Sequence, residues 1–244
     1  MKRVCLIFVF LFIFCNSLVY AQPQPTAQVD NTAGTKQLPP YSGPKARIAV
    51  ADFEVKAAKA NGEIGTGLRD MLVTALMNSS RFRVLERQVL SAVMQEQELA
   101  ASGAAAPGGG AQRGQIKTAD IIVTAAVTEF EPKASGGAAG LGGGGRLGGS
   151  LLGAVIGGAL NKAHMALDLR IVDTSTSEVL AATRVQGQAT DMAGGLFAGI
   201  LGSVGLGGGL SMYANTPMEK AIRVCIIEAV NYIAQTVPAN YYKY

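Results

Sequence analysis

A chain of 244 residues, 49% of them hydrophobic, is long enough to bury one medium-sized core and to carry extensions beyond it. Setting aside Lys2 and Arg3, which lie in a removable leader, leaves 19 basic residues against 17 acidic ones, and that balance excludes a nucleic-acid-binding surface. Of three cysteines, Cys5 and Cys15 also fall in the leader, so Cys225 alone remains and no intramolecular disulfide can form.

The leader reads as a secretory signal peptide over residues 1–21. Lys2 and Arg3 precede an apolar run from Val4 to Phe14, and Val19-Tyr20-Ala21 places residues of modest size ahead of Gln22-Pro23, where cleavage is expected. The run is 11 residues long; a spanning helix needs roughly 20. Cys15 follows Phe12-Ile13-Phe14, which is too bulky for a lipoprotein signal, so lipidation there is not expected. The mature chain then begins as an extended Pro-, Gln- and Thr-rich tether, residues 22–44, with no pattern that would bury a face.

Order is expected from Lys45. Arg47 to Phe53 alternates like a strand, and Thr66 can cap a helix whose stripe is Leu68, Met71, Leu72, Ala75 and Leu76. Phe82, Val84 and Leu85 suggest a second strand, and Val89, Leu90, Val93 and Met94 recur at helical spacing. The segment Ala101–Gly114 reads as a surface loop. Asp120–Phe130 is β-branched and apolar, as expected of a strand covered by helices on both faces. His164–Val172 and Glu178–Thr190 form a hairpin across a turn at Asp173–Ser177. Thr216, Pro217 and Glu219 then open a helix through a capping box. Its stripe is Met218, Ala221, Ile222, Cys225, Ala229, Val230 and Ile233, and Pro238 stops it ahead of a short tail. The fold class is α/β, a mixed sheet flanked by helices in a three-layer-like arrangement.

Glycine sets this chain apart. Of 31 glycines, 12 fall between Ala134 and Leu160 and nine between Gly187 and Leu210. One stretch enters the first strand of the hairpin and the other leaves its second, so both must project from the end of the sheet opposite the turn. The extensions, residues 134–162 and 187–212, can be membrane-spanning β-hairpins, membrane-associated helices or disordered loops. Val204, Leu206, Leu210 and Met212 alternate with small residues as barrel strands do. Leu151 to Ile156 does not alternate, and Gly149, Gly153 and Gly157 instead form a helical small-residue stripe. The apolar residues favour membrane contact over a solvated linker. The candidate contacts are Leu151, Leu152, Val155, Ile156 and Leu160 in the first extension, and Leu196, Phe197, Ile200, Leu201, Val204, Leu206 and Leu210 in the second.

Catalytic chemistry finds little support. His164 is the sole histidine, lies at a strand edge and has no Cys or acidic cluster at metal-ligand spacing, and Cys225 falls on an apolar stripe. The Gly62–Gly67 run precedes a helix but lacks the lysine of a phosphate loop. An enzyme, a cofactor and a metal are therefore not expected.

Several segments in one order carry a resemblance. Met71-Leu72-Val73-Thr74-Ala75-Leu76, Arg81-Phe82, Leu85-Glu86-Arg87-Gln88, Thr118 to Val123, Leu169 to Leu180 and Asn215-Thr216-Pro217 together resemble the curli-secretion channel (CsgG) family over roughly residues 45–237. The resemblance implies a periplasmic α/β domain at the outer membrane of a Gram-negative bacterium. It also implies assembly into a homo-oligomeric ring, with two hairpins per subunit joining a shared β-barrel that passes unfolded fibre subunits, and possible periplasmic accessory partners. The family places its constriction in the loop before the first helix, which here points to Phe53, Glu54, Lys56, Lys59 and Asn61, although residues 54–67 contain no aromatic. A second reading is a periplasmic adapter similar to the lipoprotein activators of cell-wall synthases, which share the fold without a pore.

Overall fold

The computed structural model describes residues 26–29, 38–106, 110–135, 161–190 and 206–244. The signal peptide, its cleavage site, most of both Gly-rich extensions and part of the tether lie outside them. In chain order the elements are β1 (Thr26–Val29), β2 (Ala46–Val50), β3 (Glu54–Val55), α1 (Gly62–Asn78), β4 (Phe82–Val84), α2 (Leu90–Ala101), β5 (Ile121–Ser135), β6 (Asn161–Asp173), β7 (Val179–Thr190) and α3 (Pro217–Thr236). A 3₁₀ segment, Gly208–Tyr213, precedes α3.

The sheet runs β1-β7-β6-β5-β2-β4, with β3 pairing β5 off that path. It is mixed, as expected: β2 runs parallel to β4 and β5, and β5, β6 and β7 form an antiparallel meander. Part of the tether joins it, since Thr26–Val29 pairs antiparallel with β7 as an edge strand. The tail also pairs, Lys45 and Tyr244 exchanging backbone hydrogen bonds of 2.6 and 3.1 Å.

The core fills one face of this sheet. Ala163, Met165, Leu167, Leu169 and Ile171 of β6 are all at most 1% exposed, and they meet Val123, Val127 and Phe130 of β5 beneath α1 and α3. Period-two alternation sends the intervening residues to the opposite face. At β6 these are Lys162, His164, Asp168 and Arg170, none of them buried, with the small Ala166 fully buried among them. The strand at Asp120–Phe130 is thus covered by packed helices on one face only. Its continuous apolar run concealed this because Ala126 and Thr124 are small enough for either environment. The connection through α2 runs back past β2, opposite to the connection through α1, and right-handed crossovers therefore put α2 on the far side of the sheet. Yet α2 buries only Gln97 and leaves Val89, Met94 and Leu99 at least half exposed.

Helix α1 begins earlier than Thr66. Asn61 caps it, its Oδ1 accepting from the Ile64 backbone N–H at 3.0 Å, and the Gly-rich run lies inside the helix. Glycine costs a helix about 1 kcal/mol per residue, but here two of them permit close packing. A Cβ on Gly65 would stand 2.8 Å from Val55, and one on Gly67 would stand 2.8 Å from the Gly207 carbonyl. Helix α3 starts as expected: Thr216 Oγ1 accepts from the Glu219 N–H at 3.4 Å, while Glu219 reaches back to the Asn215 N–H at 2.6 Å. The hairpin turn closes on Asp173, whose Oδ1 accepts from the backbone N–H groups of Ser175 and Thr176 at 2.7 and 2.8 Å.

Candidate functional site

The meander carries the site. Strands β5, β6 and β7 are 15, 13 and 12 residues long, well beyond a common strand length of about 5 to 6. Lys162 pairs with Thr190 and Ser135 with Asn161, so both Gly-rich connections depart from one end of the sheet. The loop after β2 reaches toward the same end, because β3 runs parallel to β5 with Glu54 opposite Ala126.

At this root the helix-free face carries a belt of charge. Glu129 accepts from Arg184 through Oε1 and pairs with His164 Nε2 through Oε2, while Lys59 reaches Glu131 from the loop. Partial burial pulls the Glu129 carboxyl upward, but the hydrogen bond from His164 and the charge of Arg184 outweigh it and hold it below its ordinary value. A bulge between Val127 and Glu129 aims this carboxylate: without it, Glu129 would fall on the core side. The hairpin of β6 and β7 was legible from its turn, but the charge partners were not, since they depend on cross-strand register.

The expected constriction residues divide. Phe53 is 7% exposed and belongs to the core, whereas Asn61 is exposed and caps α1. Glu54 and Lys56 pair at 3.1 Å with side chains 65% and 50% exposed, and with Lys59 they remain at the surface. Of the expected membrane contacts, Leu151, Leu152, Val155, Ile156, Leu160, Leu196, Phe197, Ile200, Leu201 and Val204 lie outside the described residues. Leu210 is a correction: it is fully buried in a 3₁₀ turn against Gly67, and Leu206 packs partly buried on the same core. From Leu206 to Leu210 the chain docks onto α1 along Gly67, Gly207 and Gly209, while Met212 is exposed.

Another cluster escaped the sequence. Arg69, 6% exposed in α1, binds Asp52 at 2.6 Å and also Asp70, and Gln88 donates to Asp52 at 2.7 Å. Glu86 caps its own turn by accepting from the Arg87 and Gln88 backbone N–H groups, while Arg87 donates to the Lys117 carbonyl at 3.0 Å. The Leu85–Gln88 motif is thus a brace tying α1, the end of β2 and the loop before β5. Cys225 is buried against the Val185 carbonyl, and burial pushes its thiol up, away from nucleophilic use. No helix among the described residues is long and apolar enough to cross a membrane.

A sheet with one helix-packed face, whose long meander delivers both extensions and a charged loop to one end, defines the class as a mixed α/β domain. The model of the curli production assembly/transport component CsgG family matches residues 30–243, and the chain belongs to that family. A protein of Neisseria meningitidis serogroup B named as a putative lipoprotein is 29% identical over 204 residues, covering 81% of this chain and 78% of its own. Among solved structures, a hypothetical protein of Chlamydia trachomatis aligns with TM-score 0.48 at 12% identity, over 80% of this chain and 99% of that one. The PelC dodecamer of Paraburkholderia phytofirmans aligns with TM-score 0.37 at 10% identity, over 85% of this chain and 96% of that one.

Proposed function

We propose that the protein is a CsgG-like secretion and assembly component of the outer membrane, whose copies form a ring-shaped pore for export of extracellular fibre subunits. The observation that supports this best is the convergence at one end of the meander of both Gly-rich connections and the Glu54–Lys59 loop. Each subunit would contribute two hairpins to a shared barrel, and the surface charges of the loop would meet the passing chain. Family membership supports a transport role over a catalytic one. The domain would stand in the periplasm, with a homo-oligomer, the secreted polypeptide and periplasmic accessory proteins as its partners.

One observation favours the adapter reading. Helix α2 leaves Val89, Val93, Met94 and Leu99 between 40% and 52% exposed, as a helix awaiting a partner would. Size and circular dichroism of the mature protein with and without detergent separate the two, alongside a variant lacking residues 136–160 and 191–205. The pore reading expects large rings that gain β-signal in detergent and lose both on deletion. A small particle indifferent to detergent and deletion would refute it and leave the adapter.

A further inference from the structure

The face of the meander that would look into such a pore can be identified from strand geometry. Side chains alternate with a period of two, and a strand can exchange its faces only through a bulge or a slip in register. Strands β6 and β7 hold one uninterrupted register from Lys162↔Thr190 to Ile171↔Ala181, the only shift coming after Ile171, at the turn end. The facing that the core imposes therefore reaches the root of the extensions unchanged. One face is apolar there, with Ala163 and Ala189 at 1% and 3% exposure. The other bears Lys162, His164 and Gln188. A barrel strand turns apolar residues to lipid and polar residues to water. In a barrel built on these strands, the face packed by α1 and α3 would become the lipid side and the helix-free face the lumen side.

Resting on the pore reading, we propose that the helix-free face of β5–β7 lines the periplasmic entry of the conduit, and that Lys162, Asp168 and Arg170 determine its charge selectivity. These three side chains engage in no ion pair among the described residues, whereas Glu129 and Glu131 are neutralised by Arg184 and Lys59. Repeated around a ring, each unpaired charge becomes a ring of like charge, which is how pores select ions by sign. Lys162 stands nearest the extensions and Arg170 lies eight residues along the same strand, so the face offers a graded series of positions rather than one gate.

The test is the reversal potential of the mature protein in planar bilayers under a potassium chloride gradient. Lys162→Glu and Arg170→Glu are compared with Glu98→Lys, an exposed charge on α2 rather than on the meander. The expected result is a shift toward cation selectivity for both β6 variants and none for the α2 variant. A Gln188→Cys variant is expected to lose conductance when a charged thiol reagent is added from the domain side. A conducting wild type whose reversal potential is indifferent to Lys162→Glu and Arg170→Glu would overturn this assignment while leaving the pore intact. A wild type that forms no channels in detergent-extracted, β-rich form would overturn the pore reading itself.

Discussion

The two faces of the β5–β7 meander are built from alternate residues of the same strands, yet they obey different physics. The face under α1 and α3 is filled to contact, with Met165, Leu167, Leu169, Ile171 and Val185 fully buried. The opposite face is a field of long polar side chains that reach one another across the strands. Packing fixes the first face residue by residue, because interiors have almost no spare volume. Water supports the second, so packing does not fix its residues in the same way.

The sharpest way to break this comparison is to make one substitution on adjacent residues. A Cβ on Gly187 would lie 2.0 Å from the Ala221 carbonyl oxygen and 3.0 Å from Cys225. Gly187→Val should therefore force α3 off the sheet and cost about 3 kcal/mol or more, or prevent folding outright. Gln188→Val, one residue on and facing the other way, should change stability by no more than about 0.5 kcal/mol. Urea denaturation of both variants checks the contrast, and equal losses would show that the second face is packed after all.

A buried acid on α3 gives the next largest effect. Glu228 is 2% exposed, its Oε2 has no partner, and burial pushes the carboxyl up to about 7 against a weak opposing hydrogen bond from Asn231 at 3.5 Å. The folded chain thus keeps a proton that the unfolded chain releases near 4.5. Between these values the folded state binds more protons, so stability falls as pH rises through that window, by on the order of 1–3 kcal/mol. Glu228→Gln should remove this slope and leave the protein more stable at pH 8. Denaturation series at pH 5 and pH 8 for both proteins test it.

These contrasts mark where sequence reasoning succeeded. The stripe of α3, the capping Thr216 and the meander strands were legible because hydrophobic period and cap chemistry are local signals. Glycine misled twice for one reason: at Gly65, Gly67 and Gly187 it is required by a neighbour distant in sequence, and a single sequence gives no view of that neighbour. The belt at Glu129 was hidden similarly. Its partners His164 and Arg184 lie 35 and 55 residues away and meet it only through register and a bulge. Asn61 was passed over because a Gly-rich run follows it, which reads as loop until the packing that stabilises it is known.

On the polar face itself, Glu129→Gln should cost no more than about 1 kcal/mol, since its ion pairs are partly solvated. The carboxyl lies below its ordinary value in the folded chain, so its contribution is present at neutral pH and fades as pH falls through the acid range. A double-mutant cycle with Arg184→Gln should return a small coupling at pH 7 that shrinks toward pH 3 and in high salt. A coupling of several kcal/mol would mean that this face is dry, and the contrast between the two faces would fail.

The smallest expected effect tests whether α2 belongs to either face. Met94 is 50% exposed and Val93 40%, and the helix buries only Gln97, so Met94→Ser in the isolated chain should shift stability by no more than about 0.5 kcal/mol. A core methionine truncated the same way would cost roughly 2 to 5 kcal/mol. A loss in that range would place α2 against the sheet in solution and turn the helix-free face into a third layer. Insensitivity in the single chain joined to loss of assembly would mean that the apolar side of α2 is held for another molecule, leaving the meander's polar face open to water.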